Sequence, residues 1–364
     1  MRRSVGIIGG GIFGLTAAVN LSDTHDVTVF EQSPDILTGA TWANHNRHHY
    51  GYHYPRSPET AQQCLESREL FEGTYGDCCN RSFANYYCVA KEDTKTTPED
   101  YVRFCDQVGL GWREEWPQGD ILDRSRIALS LRTEEGVYDF ATLKRLIGER
   151  LGRSRDVTLH LRHRVIDASI AAGGEKRLVV EDPDGGRREM QFDYLINAMY
   201  ANYNRFCGWL GFEQKLFQYN LQELCVIDLP VNDPVGITIQ DGPFPSFLPL
   251  GFSRNRCLFA HVEASQLVRD VSNGRTPLLN RVLNIQSNWS GVRDVSAPLI
   301  PIINRAQYVR SIFVDRVVDA TKAASDARLT DVTDHGQGCW SIFAAKIITC
   351  EANARRIAGA IAVG

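Results

Sequence analysis

The chain has 364 residues and a mass of 40.9 kDa, with 43% hydrophobic and 23% charged residues. That is material for two domains, or for one large α/β domain with an insert, and the chain is too apolar to be disordered. Forty basic against 44 acidic side chains leave a formal net charge of −4, which argues against a nucleic-acid partner.

Mean hydropathy is −0.26, and no apolar run approaches the roughly 18 residues of a membrane span. No apolar stretch with a small-residue cleavage site opens the sequence, so a soluble, cytoplasmic protein is expected. The ten cysteines include no C-x-x-C pair, and only Cys78 and Cys79 are close. Reduced, buried thiols are expected rather than disulfides or a metal.

Residues 4–8 form a short apolar run, the mark of a buried parallel strand. A glycine loop follows at residues 9–14, then an apolar helical face through Leu15, Ala18, Val19 and Leu21 to about Ser22. Residues 27–30 give a second strand ending in Glu31. This is a βαβ unit. Ser57 before Pro58 predicts a helix start, and further helices are expected near 99–108 and 140–151.

A strand is expected from Thr158 reaching Val165, then a hairpin of 177–181 and 188–192 around Asp182-Pro-Asp-Gly-Gly186, then a buried strand at 194–198. From residue 216 the alternation changes to period two, and 236–240, 246–250 and 257–262 continue it, predicting an antiparallel sheet. The fold expected is α/β: a discontinuous Rossmann-like domain (1–90, 137–207 and 321–364) with a second domain on a largely antiparallel sheet (91–136 and 208–320).

Gly9-x-Gly11-x-x-Gly14 lies between strand and helix, and Glu31 stands twenty residues beyond the central glycine. Gly9 makes the tight turn, Gly11 admits a pyrophosphate to the backbone, and Gly14 lets helix and strand pack. Ile12 and Phe13 open the helix, whose free N–H groups and partial positive charge suit phosphate. Glu31 suits the hydroxyls of an unphosphorylated ribose. FAD is preferred to NAD. The loop opens almost at the start of the sequence, no second intact fingerprint follows, and Gly336-Gln-Gly338 returns late as a ring-covering segment would.

Three stretches then carry a likeness: the fingerprint with Glu31; His49-Tyr-Gly51-Tyr52-His53-Tyr54-Pro55-Arg56-Ser57; and Asp326-Ala-Arg328-Leu-Thr330 with Gly336, Gly338 and Lys346-Ile-Ile-Thr349. They resemble the FAD-dependent oxidoreductases of the D-amino-acid oxidase type, including glycine oxidase and L-2-hydroxyglutarate oxidase. Leu329 replaces the family's proline, Ala345 the glycine before Lys346, and Met199-Tyr200 the family's Ala-Gly. The resemblance implies Val165 against the adenine, Gly336 and Gly338 near the flavin ring, Lys346 among the cofactor-binding residues, and hydride transfer from a substrate C–H bond to flavin N5.

Four of the nine histidines fall between Thr41 and Arg56. His49, aligned with the family histidine, is the candidate base or flavin contact. Arg47 or Arg56 is a candidate for a substrate carboxylate. Tyr54 and His335 complete the catalytic candidates. His45, His49 and His53 have a metal-like spacing, but Gly51 and Pro55 argue against the helix such a site needs, and no metal is expected. Covalent flavin attachment to a histidine stays open.

Residues 241–251 carry three prolines and are expected as an edge or loop, either lining the pocket with Phe244 and Phe247 or forming a plain turn. The function expected is oxidation of a C–N or C–O bond in a small polar substrate, with oxygen or another acceptor reoxidising the flavin. The alternatives are a flavoprotein-fold binding protein without redox catalysis, and a flavin monooxygenase.

Overall fold

The computed structural model describes residues 2–272, 277–322, 327–344 and 346–363. Asp326 and Ala345, singled out above, lie outside the described residues. In chain order the first half runs β1 (Ser4–Ile8), α1 (Ile12–Leu21), β2 (Asp26–Glu31), β3 (Arg47–His48), α2 (Pro58–Tyr75), β4 (Cys79–Asn80), β5 (Ala84–Ala90), α3 (Pro98–Val108), β6 (Trp112–Glu114), β7 (Ile127–Thr133), β8 (Gly136–Tyr138) and α4 (Phe140–Arg153). Next come β9 (Val157–Leu161), β10 (Arg164–Ile170), β11 (Lys176–Glu181), β12 (Arg187–Phe192), β13 (Tyr194–Asn197) and α5 (Tyr203–Leu210). The remainder is β14 (Phe217–Asp228), β15 (Val235–Gln240), β16 (Pro245–Pro249), β17 (Arg256–His261), β18 (Gln266–Ser272), α6 (Trp289–Ser296), β19 (Gln307–Asp319), β20 (Asp331–Asp334), β21 (Cys339–Phe343) and α7 (Cys350–Val363).

Six strands form the first sheet in the order β20-β21-β13-β1-β2-β9. All its pairs are parallel except β20 with β21. Strand β1 is apolar on both faces because both faces are covered. On one side Val5 and Ile7 join the core with Leu15, Ala18, Ile357 and Ile361 of α1 and α7. On the other, Ile8 and Phe30 meet Val165, Leu178 and Phe206 from the β10-β11-β12 sheet and α5.

The expected strand from 158 to 165 is two strands. Arg162 takes a left-handed backbone (φ 60), and the chain leaves the first sheet there to start β10 in the second. Two amides fasten the corner, Arg162 N–H to the Ser33 carbonyl and His163 N–H to the Glu31 carbonyl.

The large sheet runs β18-β14-β17-β16-β15-β5-β7-β6, with β19 along the other side of β14. It is antiparallel apart from β15 with β5. Residues 84–90, expected with the dinucleotide domain, therefore pair in this sheet. The proline-rich stretch is also corrected: β16 is an interior strand between β17 and β15. Prolines are tolerated because Pro245 and Pro249 stand at its two ends, and the ladder to β15 uses only Ser246 and Phe247. Phe244 and Phe247 turn into the core beside Phe259, and Ser246 is the residue that reaches the cavity.

Gly14 meets its expected packing role. A Cβ there would collide with the Gly9 carbonyl oxygen and sit 3.3 Å from Ala198 Cβ. Gly14→Ala should push α1 off β1 and cost about 1–3 kcal/mol, as overpacked cores do. Urea unfolding should show this as a lower midpoint at unchanged slope. A wild-type midpoint would contradict the packing account.

Candidate active site

The turns that follow β1, β2 and β13 meet at one edge of the first sheet, where a doubly wound fold places its ligand. A cavity of about 510 Å³ opens there and continues under β14, β17 and β19. Gly9, Gly11, Ile12, Phe13, Glu31 and Val165 line one end, while Arg47, His49, Tyr54 and Lys346 line the other. These are ten of the fourteen residues singled out as catalytic or cofactor-binding. Gly14 lies below the crest, in the packing contact already described.

At the first end, Glu31 is tied to the loop. Its Oε2 accepts the Gly10 N–H (2.7 Å) and its Oε1 the Ser33 N–H (2.8 Å). A carboxylate has lone pairs beyond these two bonds, so ribose hydroxyls can still be received. The Ile12 N–H, at the start of α1, points to Thr41 Oγ1 at 3.2 Å. A Cβ on Gly11 would meet nothing nearer than that same Oγ1, at 3.6 Å. The space before Gly11 is thus open, as a cradle for a pyrophosphate must be.

At the other end the two-residue strand β3 pairs with β8 and sends successive side chains to opposite sides. Arg47 lies on the cavity side and is 4% exposed, beside Glu135 at 2%. Its Nη1 donates to Tyr87 Oη (2.5 Å), Thr238 Oγ1 (2.9 Å) and Glu135 Oε1 (3.2 Å). Glu135 Oε2 accepts the Tyr50 N–H at 2.8 Å. Glu135 therefore holds the chain on both sides of His49. His48 faces the opposite way, towards Glu72 and Cys79, with Tyr50 and Phe71 against its ring.

His49, His53 and Tyr54 form one aromatic cluster, with His49 and Tyr54 ring centres 5.6 Å apart. The Lys346 ammonium lies 4.0 Å over the Tyr54 ring and donates to the Arg328 carbonyl. Burial, reinforced by the Arg47 charge, lowers all three cavity histidines. His45 is pushed down to about 3, and His49 and His53 fall well below their usual range. They are neutral imidazoles at physiological pH. His45 Nε2, His49 Nδ1 and His53 Nδ1 are buried nitrogens without a hydrogen-bond partner among the described residues. Among the described residues no group of three His, Cys, Asp or Glu is arranged to hold a metal.

Four expectations need correction. His335 does not reach the cavity: it stacks on Phe212 at 4.4 Å and bonds Ser341 Oγ. Gly336 and Gly338 occupy the tight turn between β20 and β21, both with left-handed backbone. The hairpin reverses the chain at the sheet's edge, so these glycines serve the turn and not the cavity wall. Arg47 is already neutralised by Glu135, and Arg56 by both oxygens of Asp241 at 2.9 Å, so neither arginine offers a free charge to a substrate carboxylate.

Other residues that line the cavity or support its wall were missed. Glu135 gave no signal beyond a charged pair before a strand. Arg316 and Gln222 sit on strands 94 residues apart in sequence, and their meeting (2.9 Å) exists only in the folded sheet. Tyr200, where the resembled family has glycine, keeps the left-handed backbone a glycine would favour (φ 48). Its hydroxyl accepts the Val317 N–H.

The family model for FAD dependent oxidoreductases (DAO) matches residues 4–220, and the chain belongs to that family. It is an enzyme, and its cofactor is FAD. The FAD-dependent monooxygenase kojA of Aspergillus flavus is 26% identical over 268 residues, covering 67% of this chain and 58% of that protein. The FAD-dependent monooxygenase FPY4 of Fusarium mangiferae is 27% identical over 254 residues, covering 68% and 61%. The chain thus spans less than two thirds of these relatives' length.

The fold is that of glycine oxidase from Geobacillus kaustophilus (TM-score 0.72, 15% identity, 99% of this chain and 94% of that one). L-α-glycerophosphate oxidase from Mycoplasma pneumoniae, solved with FAD bound, is equally similar (0.72, 15%, 99% and 95%). No helix among the described residues is long and apolar enough to cross a membrane.

The low position of His45 carries a sign. The folded state keeps this group neutral down to about pH 3, whereas the unfolded chain takes up the proton near 6.5. Stability is therefore lost as pH falls through 6.5, because the unfolded state binds more protons. Between pH 7 and 5 this amounts to at most about 2 kcal/mol for the one group. His45→Asn should lose that much less over the same interval in urea unfolding. An unchanged pH dependence would contradict a buried neutral His45.

Proposed function

We propose that the protein oxidises a C–N or C–O bond of a small substrate, with His49 as the base. The observation that carries this reading is the neutral His49 lining the cavity that begins at the glycine crest. Gly9, Gly11, Ile12, Phe13, Glu31 and Val165 would hold the dinucleotide portion of the flavin, and Lys346 its ring end. When bound, the flavin supplies the acceptor for two electrons and the hydrogen of the substrate C–H bond.

His49 takes the proton that leaves the substrate heteroatom, and its low basicity keeps it free of a proton beforehand. Glu135 and Arg47 fix the backbone on either side of it, and Tyr54 packs against its ring. Sheet membership supports residues 1–83, 137–207 and 321–364 as the flavin unit, with 84–136 and 208–320 as the substrate unit. Oxygen or another acceptor then takes the electrons away. The curated relatives named as monooxygenases favour a second reading, reduction by a nicotinamide followed by oxygen insertion.

General-base help is worth about 10²–10⁴ in rate. His49→Ala should slow anaerobic flavin reduction by a factor of that order and keep the flavin. His48→Ala, pointing away from the cavity, should do much less. Equal behaviour of the two variants would make His49 structural. In the same instrument NADPH should leave the visible flavin absorbance intact. Rapid bleaching would move the protein to the monooxygenase reading.

A further inference from the structure

The reverse side of β3 carries a second cluster of reactive groups, away from the cavity. Nine of the ten cysteines are buried, and Cys79, the first residue of β4, is the one partly open to solvent. Its Sγ lies 3.8 Å from His48 Nε2, and Glu72 Oε1 lies 3.8 Å from the same nitrogen. Cys78 precedes it at the end of the tight turn Gly76–Cys78 and is fully buried. Glu72 is held by the Tyr50 hydroxyl at 2.7 Å and by Arg68 and Arg81 at 3.1 and 3.5 Å. Two positive charges therefore stand against one carboxylate beside the sulfur, the electropositive and half-open setting in which a thiol is reactive.

A ring nitrogen that faces a carboxylate oxygen and a sulfur carries the hydrogen, so Nε2 donates and Sγ accepts. Because sulfur and carboxylate meet the same nitrogen, the ring cannot pass a proton from one to the other, and the cluster is not a hydrolytic triad. The Tyr75 carbonyl oxygen, 4.0 Å from Sγ, is an acceptor that a protonated Cys79 would use instead. The Cys78 thiol, foremost, and the His48 ring draw Cys79 below the usual thiol range, against burial and the Glu72 charge, which raise it. Cys78 moves the other way, through that same bond and through burial, with Asp139 and the Cys350 thiol also opposing a charge on it. The proton of the pair thus stays on the buried sulfur, and the charge falls on the accessible one.

We propose that Cys79 is a modification site, a thiolate held by Cys78 and His48 that reacts with hydrogen peroxide. The sulfur attacks one peroxide oxygen, and an S–O bond forms as the O–O bond breaks. Sulfur gives up two electrons, and the departing hydroxide takes a proton from solvent and leaves as water. The product is a sulfenic acid. Cys78 does not close on it, because consecutive Cα atoms lie about 3.8 Å apart, short of the roughly 4.4–6.8 Å that a disulfide spans without strain. Peroxide is also what oxygen becomes on taking two electrons from a reduced flavin. The site is nevertheless independent of the reading of the cavity, since peroxide from any source serves it.

The test uses the purified, reduced holoenzyme and peptide mapping by mass spectrometry. Substoichiometric iodoacetamide should alkylate Cys79 ahead of the nine buried cysteines. The rate of Cys79 alkylation should reach its plateau below neutral pH, where an ordinary thiol, half ionised near about 8.5, is still almost wholly protonated. His48→Leu and, separately, Cys78→Ala should each move the half-point upward by about one pH unit or more, as loss of a donor to a charged group does. One equivalent of hydrogen peroxide followed by dimedone should place the sulfenic-acid adduct on Cys79, and Cys79→Ser should carry none.

A half-point at or above about 8.5 in the wild-type protein would overturn the thiolate, and this measurement needs no variant to fold. Alkylation spread evenly over the cysteines, or no dimedone adduct on Cys79, would overturn the site. A Cys78–Cys79 disulfide in place of the adduct would overturn the product assigned. A pH profile unmoved in both variants would overturn the part given to Cys78 and His48.

Discussion

One buried ion pair joins the two halves of the molecule at the cavity. Arg47 comes from β3, Glu135 from the turn before β8, and Tyr87 and Thr238 from the large sheet; all four meet at the Arg47 guanidinium. Buried charges of this kind are costly unless paired and hydrogen-bonded, and removing one partner typically costs about 3–5 kcal/mol. The structure meets the requirement with three acceptors for Arg47 and a backbone donor for Glu135. In return the loop from Thr41 to Arg56, rich in groups that would otherwise prefer water, has a single geometry. His49 stands between the two anchored residues, and its direction into the cavity follows from theirs.

The same arrangement sets the electrostatics. A histidine enclosed by protein beside a fixed guanidinium cannot afford a second positive charge, so His45, His49 and His53 stay neutral. A neutral imidazole can accept a proton, which a redox step that releases one requires. Arg316 contributes to the same downward push on all three rings.

Legibility in the sequence followed the range of the interactions. The β1-α1-β2 unit, the glycine crest and Glu31 lie within thirty-one residues, and local spacing encodes them, so these positions could be read directly. Lys346 and Val165 were singled out only through resemblance, since nothing in their neighbours announces a ligand, and both line the cavity. Gly336 and Gly338 misled because a glycine pair that serves a hairpin turn looks the same as one that admits a cofactor. His335 misled for a related reason: its sequence neighbours belong to the flavin unit, but its ring turns to Phe212. Glu135, Gln222 and Arg316 were invisible. Their roles depend on partners 88 or 94 residues away, and no periodicity connects them. The prolines of β16 were read by the right rule, but the strand is short enough to place both at its ends.

The central claim is that the open space before Gly11 is where the flavin pyrophosphate lies, so that cofactor and histidine cluster share one cavity. Gly11 has an ordinary extended backbone (φ −77), and a Cβ there would touch only Thr41 Oγ1. A side chain at this position fills the cradle without straining the chain. The direct measurement is the flavin-to-protein absorbance ratio of purified Gly11→Val, together with its circular dichroism spectrum. The account predicts a folded protein with wild-type secondary structure and little or no FAD. A folded variant carrying FAD at the wild-type ratio would contradict it.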